Sequence, residues 1–313
     1  MIKISEEVPA VRFDAVVKSY GESRVVDELS FEIPSGTTFG LLGPNGAGKS
    51  TSLKSLMGLL GLDSGSIEIF GKDIAAIHGT SESLAVRRRI GYVSEVHNVY
   101  PWMTIGNAIE FVKSFYPTWN DEIARELLDT FALSPKKKAS QLSKGMLAKL
   151  SLLLAVSHEP DLLILDEPTS GLDPMVREEF LHGILKSIGE KEKTIIFSSH
   201  SIDDVQRIAD RVGVLRNGKL IVDHSVDHIL GNTKRLRAAL TSGDQPCWTP
   251  DSTIWQQVNR REWQLTVDEF TPELVAEVQA KNPIESIEVL DLSLEEIFKD
   301  YVRCGDKSEV GNA

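Results

Sequence analysis

Cysteine is nearly missing from these 313 residues: Cys247 and Cys304 are the two present, and they have neither metal-site nor redox-motif spacing. A reducing cytoplasm is the simplest compartment for such a chain. Long apolar runs are missing as well, none approaching the roughly 20 residues needed to cross a bilayer. The opening "MIKISEEVPAVRF" is too polar to read as a secretory signal. Basic residues are in deficit, with 34 Lys and Arg against 46 Asp and Glu, a formal net charge of −12. That balance opposes nonspecific attraction to nucleic acid or to an anionic membrane surface. The two basic triplets, Arg87–Arg89 and Lys136–Lys138, read as solvated helix ends. No internal repeat, low-complexity tract or sustained heptad is visible.

What remains is the profile of a soluble globular protein, 41 % hydrophobic and 26 % charged, long enough for one large domain and a smaller one. "VRFDAVVKSYGESRVVDELSFEIPSG" alternates apolar and polar residues around Gly21 and predicts an antiparallel sheet with one wet face. "TTFGLLG" is a short buried strand, followed by glycines and the helical "KSTSLKSLMGLLG". From about 105 to 158 apolar residues recur by threes and fours, which predicts helices. "DLLILDE" and "TIIFSSH" are two further buried parallel strands, and Asn217-Gly218 in "VGVLRNGKLIVDH" is a strong hairpin signal. Beyond about 230 the composition changes. "TSGDQPCWTPDS" reads as a loop or linker, and strand-like and helical pieces follow up to "SLEEIFKDYVR". Trp248, Trp255 and Trp263 lie here and read as core anchors rather than ligand-stacking groups.

"GPNGAGKST", Gly43 to Thr51, fits G-x-x-x-x-G-K-[ST] between a predicted strand and a predicted helix. Its glycines let successive N–H groups converge on phosphate oxygens, and the helix start adds its positive dipole end. Lys49 would reach the outer phosphates, and the Ser50 hydroxyl would coordinate magnesium. Downstream, "LLILDEP" ends a buried strand with two adjacent acids. Asp166 fits a magnesium-side carboxylate, and Glu167 fits a general base polarising the attacking water. A second acid, Glu95, ends the strand in "IGYVSEVHNVY", where it reads as a catalytic group, a metal ligand or a solvated strand end.

"LSKGM" (142–146) opens a helix, "SGLD" follows the acidic pair, and "SSH" ends a later strand. With the phosphate loop these motifs make the sequence resemble the ATP-binding subunits of ATP-binding cassette (ABC) transporters, whose signature is Leu-Ser-Gly-Gly-Gln. The resemblance runs from about residue 11 to 230. It implies an α/β fold: a phosphate-loop NTPase core with an N-terminal antiparallel β-subdomain and a helical signature subdomain at about 105–158. The ATP-binding domain would span 1–230, and 231–313 would form a small α+β C-terminal domain. The resemblance further implies two such domains sandwiching two ATP molecules head to tail. Tyr20 would stack on adenine, and Asn45, Gly46, Ala47, Gly48, Lys49, Ser50 and Thr51 would cradle phosphate. Ser143 and Gly145 would meet the partner's nucleotide, and Asp173 would link the two sites. His200 would hydrogen-bond the γ-phosphate and help position water, with Glu167 and Lys49 beside it in catalysis. ATP and Mg2+ are the implied cofactors, with Ser50, Asp166 and Glu95 on the metal side. His97 has no matching family role.

Two departures stand out. Lys144 and Met146 replace a glycine and the glutamine of the signature, leaving Lys144 either near the partner's phosphates or pointing to water. Glu95 replaces the glutamine usual in its slot, which keeps an acceptor, loses a donor and adds negative charge. The implied partners are a membrane permease on a separate chain and a second ATP-binding subunit, identical or different, without nucleic acid. The chain would sit on the inner face of the cell membrane through that permease, where Tyr100 and Trp102 either anchor a permease helix or pack internally. The tail resembles those of drug- and antibiotic-export cassettes. A soluble cassette ATPase acting on nucleic acid or the ribosome is the alternative, disfavoured by the acidic charge and the absence of coiled coils or zinc motifs.

Overall fold

The computed structural model describes residues 8–188, 193–241 and 245–303, so Cys304 and residues 1–7 of the opening segment lie outside the described residues. The chain divides into two units between Asp223 and His224, each with its own core.

The first unit opens with β1 (Val11–Tyr20) and β2 (Ser23–Ile33), paired antiparallel about Gly21, which takes φ +60°. Strand β3 (Thr38–Leu42) is buried at every position and leads through the glycine loop into α1 (Lys49–Leu56). Strands β4 (Ser64–Ile69) and β5 (Lys72–Asp73) return to the antiparallel sheet, whose order is β2-β1-β4-β5. Helix α2 (Ser81–Arg88) precedes β6 (Ile90–Val93). Three helices then follow: α3 (Ile105–Lys113), α4 (Asp121–Thr130) and, after a 3-10 turn at Ala139–Gln141, α5 (Lys144–Val156). Each starts on a side-chain cap: Thr104, Asn120 and Ser143 accept backbone N–H groups of the first turn. Such a cap stabilises its helix by about 0.5–2 kcal/mol. The unit continues with β7 (Leu162–Asp166), α6 (Pro174–Ile188), β8 (Thr194–Ser199) and α7 (Ile202–Ile208), then the hairpin of β9 (Arg211–Arg216) and β10 (Lys219–Ser225). Asn217 and Gly218 both take positive φ in that two-residue turn, +47° and +79°, as their sequence predicts.

The second sheet of this unit runs β10-β9-β3-β8-β7-β6, with β9, β3, β8, β7 and β6 parallel. Its central strands read as unbroken apolar runs because β3, β7 and β8 are buried at every residue. Phe13, Phe31 and Phe39 stack face to face, at 4.5 and 5.4 Å between ring centres, and join this sheet to the antiparallel one. Arg87–Arg89 is exposed at the end of α2 as expected. Lys136–Lys138 belongs instead to the turn ahead of the 3-10 segment, where the Lys137 ammonium reaches the Met146 sulfur.

The second unit contains α8 (Val226–Asn232), β11 (Lys234–Leu240), β12 (Thr253–Asn259), β13 (Glu262–Val267), α9 (Pro272–Lys281), β14 (Ile284–Asp291) and α10 (Leu294–Arg303). Its antiparallel sheet has the order β12-β13-β11-β14. Trp263 is fully buried in its core and Trp248 packs against that core, while Trp255 lies beside the Arg235 guanidinium. The segment "TSGDQPCWTPDS" connects β11 to β12 inside this unit. Buried Asp300 on α10 accepts from Arg235 and from Thr266, fastening the helix to the sheet.

Candidate nucleotide site

Strands β3, β8 and β7 are neighbours in the large sheet and all point the same way, so their C-terminal ends open on one edge. In open α/β sheets that edge is where ligands bind. The loop after β3 is the glycine loop. Gly46 and Gly48 take φ +82° and +105°, the left-handed region, where side chains with a Cβ are strained. At Gly48 an added Cβ would also lie 2.6 Å from the Val25 carbonyl oxygen, so this position has no room for one. The Lys49 ammonium, only 5 % exposed, bonds the Gly43 and Pro44 carbonyls at 2.7 and 3.3 Å. The loop is thus folded around its own lysine.

The loops after β7 and β8 complete a buried polar network. Asp166 is 1 % exposed, and its Oδ1 accepts from the Ser50 and Ser198 hydroxyls, each at 2.9 Å. The Ser198 hydroxyl in turn accepts the Glu167 backbone N–H at 2.8 Å. Glu167 is 8 % exposed, with φ +47°, unusual for a residue bearing a Cβ. Its two oxygens are divided: Oε1 lies 3.1 Å from the Lys49 ammonium and Oε2 lies 2.8 Å from His200 Nδ1. Both Glu167 oxygens thus have a polar partner, which offsets the cost of burying a carboxylate. The Asp166 charge reaches further, to half-buried Tyr92 on β6. Burial first, and Asp166 second, push its phenol up to about 12.

Lys49, Ser50, Asp166, Glu167 and His200 therefore converge. Ser198 was not foreseen. Its only signal is a hydroxyl inside the apolar run "TIIFSSH", at the register position opposite Asp166. The other expected residues stand apart. Tyr20 ends β1 with its ring 51 % exposed and the Lys18 ammonium 5.9 Å from its centre. Ser143 caps α5, and Gly145 packs so closely on α6 that a Cβ would meet Val176 Cγ1 at 2.5 Å. Asp173 is exposed and caps the start of α6 by accepting the Val176 N–H at 3.1 Å.

Glu95 faces solvent on the loop after β6 and makes no hydrogen bond or ion pair with any described residue. It follows β6, which pairs in parallel with β7, the strand that ends at Asp166. Lys144 is exposed, which fits a side chain pointing to water. Its ammonium lies over Gly171, 2.8 Å from where a Cβ would stand, against the loop that leads to Asp173. Nearby, partly buried His97 has its imidazole pKa lowered, by burial first and then by the Lys144 charge. Tyr100 and Trp102 do not pack inward: they stack on each other at 4.8 Å, and Trp102 is 68 % exposed. Tyr100 also meets Phe111 edge-on, and Phe111 meets Phe115, so four partly exposed aromatics form one surface cluster. Among the described residues no helix is long and apolar enough to cross a membrane.

Residues 26–170 match the family model described as ABC transporter. The ABC transporter ATP-binding protein YhaQ of Bacillus subtilis (strain 168) is 31 % identical over 298 residues, covering 92 % of this chain and 97 % of that protein. The Nod factor export ATP-binding protein I of Paraburkholderia xenovorans is 38 % identical, covering 68 % of this chain and 70 % of its own length. Among solved structures, the dimeric ATP-binding cassette MJ0796 in a post-hydrolysis state with ADP and Pi aligns with a TM-score of 0.61 at 25 % identity, covering 69 % of this chain and 98 % of that one. None of these relatives is named for nucleic acid or the ribosome. Similarity along nearly the whole length of a relative, with a phosphate loop folded against an Asp-Glu pair, places the chain: it belongs to the ABC transporter family, as the ATP-binding, ATP-hydrolysing subunit of a transporter.

Proposed function

We propose that this chain powers an exporter, hydrolysing ATP at the mouths of β3, β7 and β8 while a permease on another chain carries the pathway. The observation that carries the reading is the division of Glu167 between Lys49 and His200. Asn45 to Thr51 supply N–H groups and the Lys49 ammonium to the phosphates, and exposed Tyr20 supplies a face for adenine. Glu167 polarises the attacking water as general base, worth about 10²–10⁴ in rate. His200, held on the Glu167 carboxylate, orients that water toward the γ-phosphate. Ser50 and Asp166 offer the hard oxygens magnesium prefers and would hold the ion. Bound there, magnesium neutralises charge on the phosphate oxygens. Glu95, one strand further along the same sheet edge, is a sensor on the metal side.

A second ATP-binding subunit, identical or different, completes each site by presenting its Ser143, Gly145 and Asp173 in trans. The exposed cluster of Tyr100, Trp102, Phe111 and Phe115 suits an apolar helix of the permease, which would hold the chain at the inner face of the cell membrane. The named export role of a relative and the tail "LDLSLEEIFKDYVR" support export. Glu167→Gln is the direct test. Hydrolysis should fall by about 10²–10⁴ while ATP binding and thermal stability hold; wild-type turnover would sink the assignment. Copurification of a permease with the wild-type chain, lost in Trp102→Ala, would support the docking surface.

A further inference from the structure

Outside the residues just discussed, one buried carboxylate stands out. Asp204, the third residue of α7, is 2 % exposed and both its oxygens are engaged. Oδ2 accepts from the Thr169 hydroxyl at 2.7 Å and Oδ1 from Arg177 Nε at 2.5 Å. The same guanidinium also donates, through its second nitrogen, to the Ser201 hydroxyl. The sequence offset of each contact matters. Thr169 lies two residues after Glu167, Arg177 four residues after Asp173, and Ser201 immediately after His200. The helix that carries Asp204 is bedded on the sheet: an added Cβ at Gly40 in β3 would meet Val205 Cγ1 at 2.4 Å, so only glycine lets α7 lie this close.

We propose that Asp204 is a positioning residue for ATP hydrolysis, a buried anchor that holds the loops of Glu167, His200 and Asp173 in mutual register. The inference rests on the roles assigned above to those three residues. A buried ion pair is weak evidence for stability, since its desolvation cost offsets its attraction. What it does supply is direction, because charge-assisted hydrogen bonds to a guanidinium have fixed geometry. Both Asp204 oxygens are taken by Thr169 and Arg177, and it acts through those two residues. If Thr169 is released, Glu167 loses a fixed point two residues away while keeping its own contacts to Lys49 and His200.

The test measures ATP hydrolysis by the full-length chain as separate kcat and KM, with the thermal midpoint and folded fraction alongside. Thr169→Val removes one hydroxyl and keeps the volume. Its kcat should fall about 10-fold with KM within about 2-fold, since misplacement of a reacting group by a fraction of an ångström acts on turnover. Thr169→Ser, which keeps the hydroxyl, should recover most of that loss. Asp204→Asn keeps the shape, weakens the hold on Arg177, and should lower kcat by about 10²-fold. Wild-type kcat per folded molecule in both Thr169→Val and Asp204→Asn would overturn the proposal, as would activity losses that track only the folded fraction. If Asp204→Asn fails to fold, Thr169→Val against Thr169→Ser decides alone. Glu167→Gln in the same assay separates the two levels: wild-type turnover there refutes the site reading, whereas an inactive Glu167→Gln beside fully active Thr169 and Asp204 variants refutes the anchor only.

Discussion

Two sets of residues in the ATPase unit have opposite environments. Lys49, Asp166 and Glu167 are buried, and each is held by contacts from other loops of the same chain. Among the described residues, Tyr20, Ser143 and Asp173 have no such contacts across the fold. Ser143 and Asp173 bond only the backbone three residues on, as ordinary helix caps, and Tyr20 and Asp173 face solvent. The first set forms an internal network before any partner arrives. The second set lies at the surface with its polar groups used only in local helix caps among the described residues, an arrangement that suits the roles proposed for them toward a base and a neighbouring subunit. Under the proposed roles, burial separates groups acting within the chain from groups acting outward, even when all of them belong to one reaction.

The largest expected effect tests that division directly. Lys49→Ala and Ser143→Arg, each alone, should cut hydrolysis by about 10² or more, by loss of phosphate contacts in the first and by obstruction in the second. Mixing the two variants should restore activity, because in a head-to-tail dimer one site regains an intact Lys49 facing an intact Ser143. A mixture as inactive as its components would break the comparison and place Ser143 in its own chain's site. Tyr20→Ala comes next. Loss of base stacking, worth about 1–3 kcal/mol, should weaken ATP binding roughly 5- to 150-fold. The thermal midpoint should hold, since the ring is exposed. Glu95→Gln should be smallest: hydrolysis retained, with a changed magnesium dependence or changed coupling to the permease. If Glu95→Gln and Glu95→Ala both match wild type in a permease-coupled assay, Glu95 is only the solvated end of its strand.

Much of the site was legible because its signals are local. Gly46 and Gly48 bend the chain within a few residues of Lys49, and Asn217-Gly218 closes its hairpin by the same short-range sterics. Ser198 was harder to see, because a serine in "TIIFSSH" gains meaning only when β8 pairs with β7 and sets it beside Asp166. Lys144 shows the limit from another side. Its sequence position leaves phosphate or water open, and only the fold shows that the exposed side chain sets its ammonium above Gly171, which has no side chain. Strand β11 is likewise faint in the sequence. "KRLRAAL" is a weak strand pattern on its own, yet it lies between β13 and β14 and lines the second core with Leu236, Ala238 and Leu240.

By itself the sequence determined the phosphate loop, the Asp-Glu pair, the strand-loop-helix framework around them and the family that these define. Each motif depends on residues within one turn or one strand of each other, and the family on the order of the motifs along the chain. Only the tertiary structure decided the strand order. Strands β3, β7 and β8 are all short apolar runs with no periodicity to tell them apart, so nothing local says that β8, the last of the three in sequence, sits between the other two. That order joins His200 to Glu167, Ser198 to Asp166, and Asp204 to both Thr169 and Arg177. Such contacts span 27 to 35 residues of chain, and their geometry is set by packing rather than by any short-range preference.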